Sequence, residues 1–157
     1  MQDINQATAA FLANRRVAVT GVSRNRKSGH GSNTVYRRLR DRGYEVFAVN
    51  PNTNEVEGDP SYNDLRSIPG GVDAVVIATA PFRADDTMRE CAELGVNQVW
   101  MHRGPGAGSV SKTATAYGRE HGITVIDGGC PCMFGPTADF GHKVMKVFLS
   151  RHVPKTV

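Results

Sequence analysis

The chain has 157 residues, the length of one domain, and its 19 Lys+Arg against 15 Asp+Glu leave a net charge of +4, spread too thinly for a nucleic-acid surface. A globule of this size buries about two-thirds of the surface its unfolded chain exposes, so neither disulfides nor metal are needed for folding, and three cysteines, an odd count, fit a reducing cytoplasm better than a disulfide framework. No apolar run approaches the roughly 18 residues of a membrane span, and residues 1–10 lack the pattern of a secretory signal.

Residues 1–15 predict a helical extension, with Ile4, Ala7, Phe11 and Leu12 on one face beside a sheet. Strands follow at 16–20, 45–49, 74–79, 98–101 and 124–126. Gly43, Gly71, Gly95 and Gly122 precede the last four of them, and recur every 24–28 residues, the length of one strand–helix unit. Val75, Val76, Ile77 and Ala78 are apolar throughout, as in a parallel strand covered on both faces. Between the strands the helical period returns: Val35, Tyr36 and Leu39; Ala84, Met88, Cys91 and Ala92; Ala114, Tyr117 and Gly118. Phe140, Val144, Val147 and Phe148 mark a last helix, starting near Pro136. The expected fold is α/β: a doubly wound, mostly parallel five-stranded Rossmann-like sheet, with a single domain over 16–150 and a tail over 151–157. Such sheets bind ligands at the carboxyl ends of their strands, near the switch point.

The loop after the first strand reads Gly21-Val22-Ser23-Arg24-Asn25-Arg26-Lys27-Ser28-Gly29-His30-Gly31-Ser32. Gly21 permits a tight turn, Ser23 offers a hydroxyl, and Arg24, Arg26 and Lys27 are cations. Gly29, Gly31 and Ser32 open a helix whose free N–H groups favour phosphate. The dinucleotide Gly fingerprint is missing. After the second strand, Asn50-Pro51 stands where a NAD-binding sheet carries Asp or Glu, which leaves room for the 3′-phosphate of coenzyme A or the 2′-phosphate of NADP. Cys130-Pro131-Cys132 admits a reactive thiol, a metal pair or a structural turn. His30, His102, His121, His142 and His152 sit at no recognisable ligand spacing to it, so no metal is expected. Cys91 belongs to an apolar helix face. No nucleophile–base–orienter set emerges.

The strings Gly21-Val22-Ser23-Arg24-Asn25, Gly43-Tyr44-Glu45-Val46-Phe47-Ala48-Val49-Asn50-Pro51 and Gly58 resemble the stand-alone CoA-binding protein family. So do Tyr62-Asn63-Asp64-Leu65, Ile68-Pro69, Val72-Asp73, Val99-Trp100-Met101-His102 and Gly129-Cys130-Pro131. These are small bacterial Rossmann-type proteins, similar to the CoA-binding domain of the succinyl-CoA synthetase alpha subunit, and the resemblance runs over about 16–134. It implies coenzyme A or an acyl-CoA as ligand, bound by a non-catalytic carrier, sensor or subunit. It implies further that the Ala80-Pro81-Phe82 turn flanks the adenine, where Phe82 or the backbone of Thr79 and Ala80 offers an apolar slot, and that Cys130 and Pro131 wall the site near the thiol. Gly21, Val22, Ser23, Arg24, Lys27, Gly29, Asn50 and Pro51 complete the expected set. A homo-oligomer, or association with an acyl-CoA enzyme, fits the same resemblance. An NADP-dependent oxidoreductase, or a redox protein using Cys130 and Cys132, is the alternative.

Overall fold

In a computed structural model, which describes residues 2–25, 31–106, 108–148 and 150–157, seven strands form one sheet in the order β3-β4-β2-β1-β5-β6-β7. They are β1 (Arg16–Thr20), β2 (Glu45–Val49), β3 (Glu55–Val56), β4 (Asp59–Tyr62), β5 (Ala74–Ile77), β6 (Gln98–Met101) and β7 (Thr124–Asp127). All pairings are parallel except β3 with β4. The helices are α1 (Ile4–Leu12), α2 (Gly31–Asp41), α3 (Pro81–Glu93), α4 (Lys112–Glu120) and α5 (Phe140–Phe148). The chain winds outward from β1 to β4, then returns to place β5 on the other side of β1. The strand order therefore reverses beside β1, as the doubly wound expectation requires.

Strand alternation divides the core into two layers. Val17, Val19, Val76, Trp100 and Ile126 face one side, against α1 and α2; Ala18, Val75, Ile77, Val99, Met101 and Val125 face the other, against α3 and α4. α1 is tied into the first layer: Phe11 meets Trp100 edge-on at 5.4 Å between ring centroids, and Phe134 packs on the same indole, tilted, at 5.5 Å. The indole N–H donates to the Gly128 carbonyl at 2.8 Å, so the buried ring has no unpaired donor. Local signals set the helix starts: Asp3 caps α1, Pro81 occupies the first turn of α3, and the Ser111 hydroxyl accepts from Ala114 N at 3.2 Å in α4.

Two strands more are present than the five expected. β3 and β4 form a hairpin about Glu57-Gly58, both left-handed (φ 53° and 82°), and β4 joins β2 in parallel through Ser61 and Tyr62. Glu57 adopts this backbone while its carboxylate accepts from Asn33 Nδ2 at 2.7 Å and pairs with Arg37 at 2.8 Å. The third expected strand stops at Ile77 instead of Thr79, because Ala78 N donates to the Thr20 hydroxyl at 3.1 Å instead of continuing the ladder. The last strand extends one residue further, to Asp127.

The last helix forms over its apolar period but starts at Phe140 and not near Pro136, because residues 135–137 form a separate 3-10 turn, and Phe140, Val144, Val147 and Phe148 are all exposed. Met145, on its other side, is the α5 residue packed against the core. Residues 151–157, expected as a tail, run back along the N-terminus. Gln2 and Val157 exchange two backbone hydrogen bonds at 3.1 and 3.0 Å, and Ile4 N donates to Lys155 O at 3.2 Å. Among the described residues no helix is long and apolar enough to cross a membrane.

Candidate functional site

The carboxyl ends of β1, β2, β5, β6 and β7 converge on one rim. Gly21 turns the chain there with φ +75°, its N–H donating to Val49 O at 3.0 Å; a Cβ at this position would lie 2.7 Å from the Ala78 carbonyl oxygen. Val22 is buried beneath the turn. Ser23 is fixed through its backbone, donating to Asn33 Oδ1 at 2.8 Å and accepting from Asn33 Nδ2 at 2.7 Å, while its hydroxyl accepts from Asn25 N at 3.1 Å. Arg24 is exposed. Lys27 and Gly29, with Arg26, Ser28 and His30, lie outside the described residues. α2 then opens with Gly31 held against the His102 ring, where a Cβ would come within 2.5 Å of Cε1.

Two clefts flank this turn. The smaller, of about 320 Å³, is lined by Gly21, Asn50, Pro51, Thr79, Arg83 and Glu90 among others; Asp64 and Asp86 also border it. The larger, of about 730 Å³, is lined by Ser32 of α2, Thr79, Ala80, His102, Cys130 and His142, with Gly104, Gly106 and Gly108 on one side. Thr79 borders both clefts, and its hydroxyl is buried with no hydrogen-bond partner among the described residues. A buried polar atom left in this way is uncommon and calls for an explanation. A third hollow of about 670 Å³, between α1 and residues 133–146, contains none of the expected ligand-binding residues.

The clefts differ in charge. Among the described residues, Asp64, Asp86 and Glu90 face the smaller one with Arg83 as the cation beside them. Burial raises the Glu90 carboxyl above its ordinary range, whereas the Ser67 hydroxyl and N–H lower that of Asp64. Among the described residues no carboxylate lines the larger cleft, and the first turn of α2 at its edge carries no acidic residue. Burial pushes His102 down to about 4, with His142 a lesser contributor, so its imidazole is neutral near pH 7.

The sequence-derived set is thus only partly gathered. Gly21, Asn50, Pro51, Thr79, Ala80 and Cys130 line one cleft or the other. The Asn50 side chain serves the backbone: Nδ2 donates to Val22 O at 2.9 Å, and Oδ1 accepts from Asn52 N at 2.9 Å. Phe82 is 74 % exposed, with Arg83 over its ring at 5.5 Å, and neither Phe82 nor Pro81 lines a cleft. Pro131 is buried at the head of a 3-10 turn over Pro131–Met133, its carbonyl accepting from the Thr137 hydroxyl at 2.6 Å.

His142 is the residue the sequence missed. Spacing linked no histidine to Cys130-Pro131-Cys132, but the turn through residues 131–137 brings α5 back so that His142 stands beside both sulfurs. The neighbouring Cys132 and burial hold the Cys130 thiol above the ordinary range, whereas Cys130 and the Arg38 charge lower that of Cys132. The available signal was α5's own pattern, since His142 and Met145 lie opposite its apolar stripe.

Comparison with known proteins matches residues 15–136 to the CoA binding domain. Over 91 residues the chain is 34 % identical to the alpha subunit of an ADP-forming acetate–CoA ligase II from Pyrococcus furiosus, covering 57 % of this chain but only 19 % of that subunit. It is 28 % identical over 128 residues to the YneT protein of Bacillus subtilis, covering 80 % of this chain and 90 % of YneT. A solved structure of a Pyrococcus horikoshii protein superposes with a TM-score of 0.73 at 23 % identity, over 81 % of this chain and 86 % of that one, a likeness of fold. The domain match begins one residue before β1, takes in both clefts' strand ends and closes just past the Cys130 turn, and on that extent the chain belongs to the CoA binding domain family.

Proposed function

We propose that this protein binds coenzyme A or an acyl-CoA across the rim, as a binding protein and not as a catalyst. The adenosine occupies the smaller cleft, whose carboxylates repel phosphate but accept hydrogen bonds from an amino group and ribose hydroxyls. The phosphates lie by the loop after β1, where Arg24, Lys27 and the start of α2 offer charge and free N–H groups. The pantetheine arm follows the larger cleft toward Cys130. The observation that carries this reading is that the two clefts meet at Thr79, beside the Gly21 turn, so one extended ligand can run from the first into the second.

The family and the alpha-subunit relative support a role as a CoA-holding component that associates with an acyl-CoA enzyme. Thermal unfolding with coenzyme A, NADP and NAD tests the ligand. A ligand at a hundredfold excess over its dissociation constant stabilises the folded state by about 2.7 kcal/mol. Coenzyme A is expected to raise the melting temperature most, and an equal or larger shift with NADP would sink the assignment.

A further inference from the structure

The turn after β7 and the start of α5 bring two thiols and an imidazole to one point. Cys130, Cys132 and His142 each offer a ligand atom within 4.8 Å of the other two. A tetrahedral zinc with Zn–S bonds of about 2.3 Å and Zn–N of about 2.0–2.1 Å keeps its ligands roughly 3.5–3.8 Å apart, so a small contraction closes the site. Both cysteines are buried, and neither is in a disulfide.

The surroundings suit a metal ligand. His142 Nδ1 is 2.8 Å from Asp139 Oδ2, and the same carboxylate pairs with Arg38 at 2.6 Å. An imidazole that donates Nδ1–H to a carboxylate has its tautomer fixed and keeps Nε2 as a lone-pair donor, the arrangement that orients histidine ligands. The His142 N–H also donates to Asp139 Oδ1 at 2.8 Å, which fixes the backbone carrying the ring. Two thiolates and one imidazole favour zinc among the common divalent ions. Cys130 and His142 both line the larger cleft, so the remaining tetrahedral position faces that cleft.

We propose that Cys130, Cys132 and His142 form a three-ligand site for a thiophilic divalent cation such as Zn²⁺, with its fourth position open to the larger cleft. Loading replaces the two thiol protons, which leave to solvent. His142 lies outside the 15–136 match, so the site draws on a helix beyond the matched domain. It stands or falls independently of the coenzyme A reading.

The test uses Co²⁺ as a spectroscopic substitute on the full-length protein, stripped by chelator and kept reduced with a phosphine. Stoichiometric Co²⁺ is expected to give sulfur-to-cobalt charge transfer together with tetrahedral d–d bands, both abolished by one equivalent of Zn²⁺. Adding 2-mercaptoethanol should intensify the charge-transfer band as a third thiolate takes the open position. Cys132→Ser should weaken binding at least about 100-fold, and Asp139→Asn by about 10- to 100-fold with the tetrahedral spectrum retained. Should Cys132→Ser fail to fold, Zn²⁺ protection of Cys130 and Cys132 from alkylation in the unmodified protein is the second readout. No charge-transfer band, or no protection, overturns the site. A spectrum indifferent to exogenous thiol overturns the open position.

Discussion

Replacing Gly21 with Ala probes the turn on which both clefts depend. At φ +75° an L-residue costs about 1–2 kcal/mol. The new Cβ would stand 2.7 Å from the Ala78 carbonyl oxygen, 3.0 Å from its carbon and 3.1 Å from Thr79 Cγ2. Two of those atoms are backbone of the segment leaving β5 and cannot swing aside, so overpacking adds roughly 1–3 kcal/mol. The lower entropy of an unfolded chain with one glycine fewer returns about 0.4–1 kcal/mol. The net loss is about 1–5 kcal/mol, centred near 3, read as a lower urea midpoint at unchanged slope. Gly122→Ala is the control: its φ is likewise +75°, but nothing lies within 4 Å of the added methyl, so only the conformational part remains, about 1 kcal/mol. Equal losses in the two variants would refute the packing argument, because they would show that Ala78 and Thr79 yield freely.

Thr79→Val keeps the shape and removes a buried hydroxyl without a partner among the described residues; the protein should be as stable or slightly more so by urea titration, and a loss above about 1 kcal/mol would show that the hydroxyl is hydrogen-bonded after all. His102 is neutral when folded down to about pH 4 but takes up a proton near 6.5 when unfolded, so stability is complete above pH 6.5 and declines by up to roughly 3 kcal/mol as pH falls to 4. Urea midpoints of the parent and His102→Gln should draw together over that window, and parallel pH profiles would count against it. Phe11→Ala opens a cavity against Trp100 and should cost about 3–5 kcal/mol by denaturant titration, whereas a loss below about 1 kcal/mol would mean that α1 is a dispensable extension.

The central strands were legible because parallel strands covered on both faces must be apolar, and Val17, Ala18 and Val19 or Val75, Val76 and Ile77 have little other use. The β3–β4 hairpin was not. Its strands span two and four residues, Pro60 interrupts the second, and the turn places Glu57, a non-glycine, at positive φ with Asn33 and Arg37 on its carboxylate. The apolar stripe of α5 was visible as a pattern, but a pattern does not say what covers it, and Phe140 and Phe148 point outward. In the site, Gly21 was readable because a tight turn after a strand has few alternatives. Asn50 was legible as a strand-end residue, but its task was not, since holding Val22 O depends on a partner 28 positions away. His142 escaped for a similar reason: its approach to Cys130 and Cys132 is set by how the chain folds back through residues 131–137, not by ligand spacing.

Titration calorimetry with coenzyme A in low and moderate salt addresses the central claim most directly. The account predicts one site per chain, with affinity falling as salt screens the phosphates from the loop after β1, and weaker or absent heats with NADP. Saturable binding of NADP in the absence of any coenzyme A signal would contradict it.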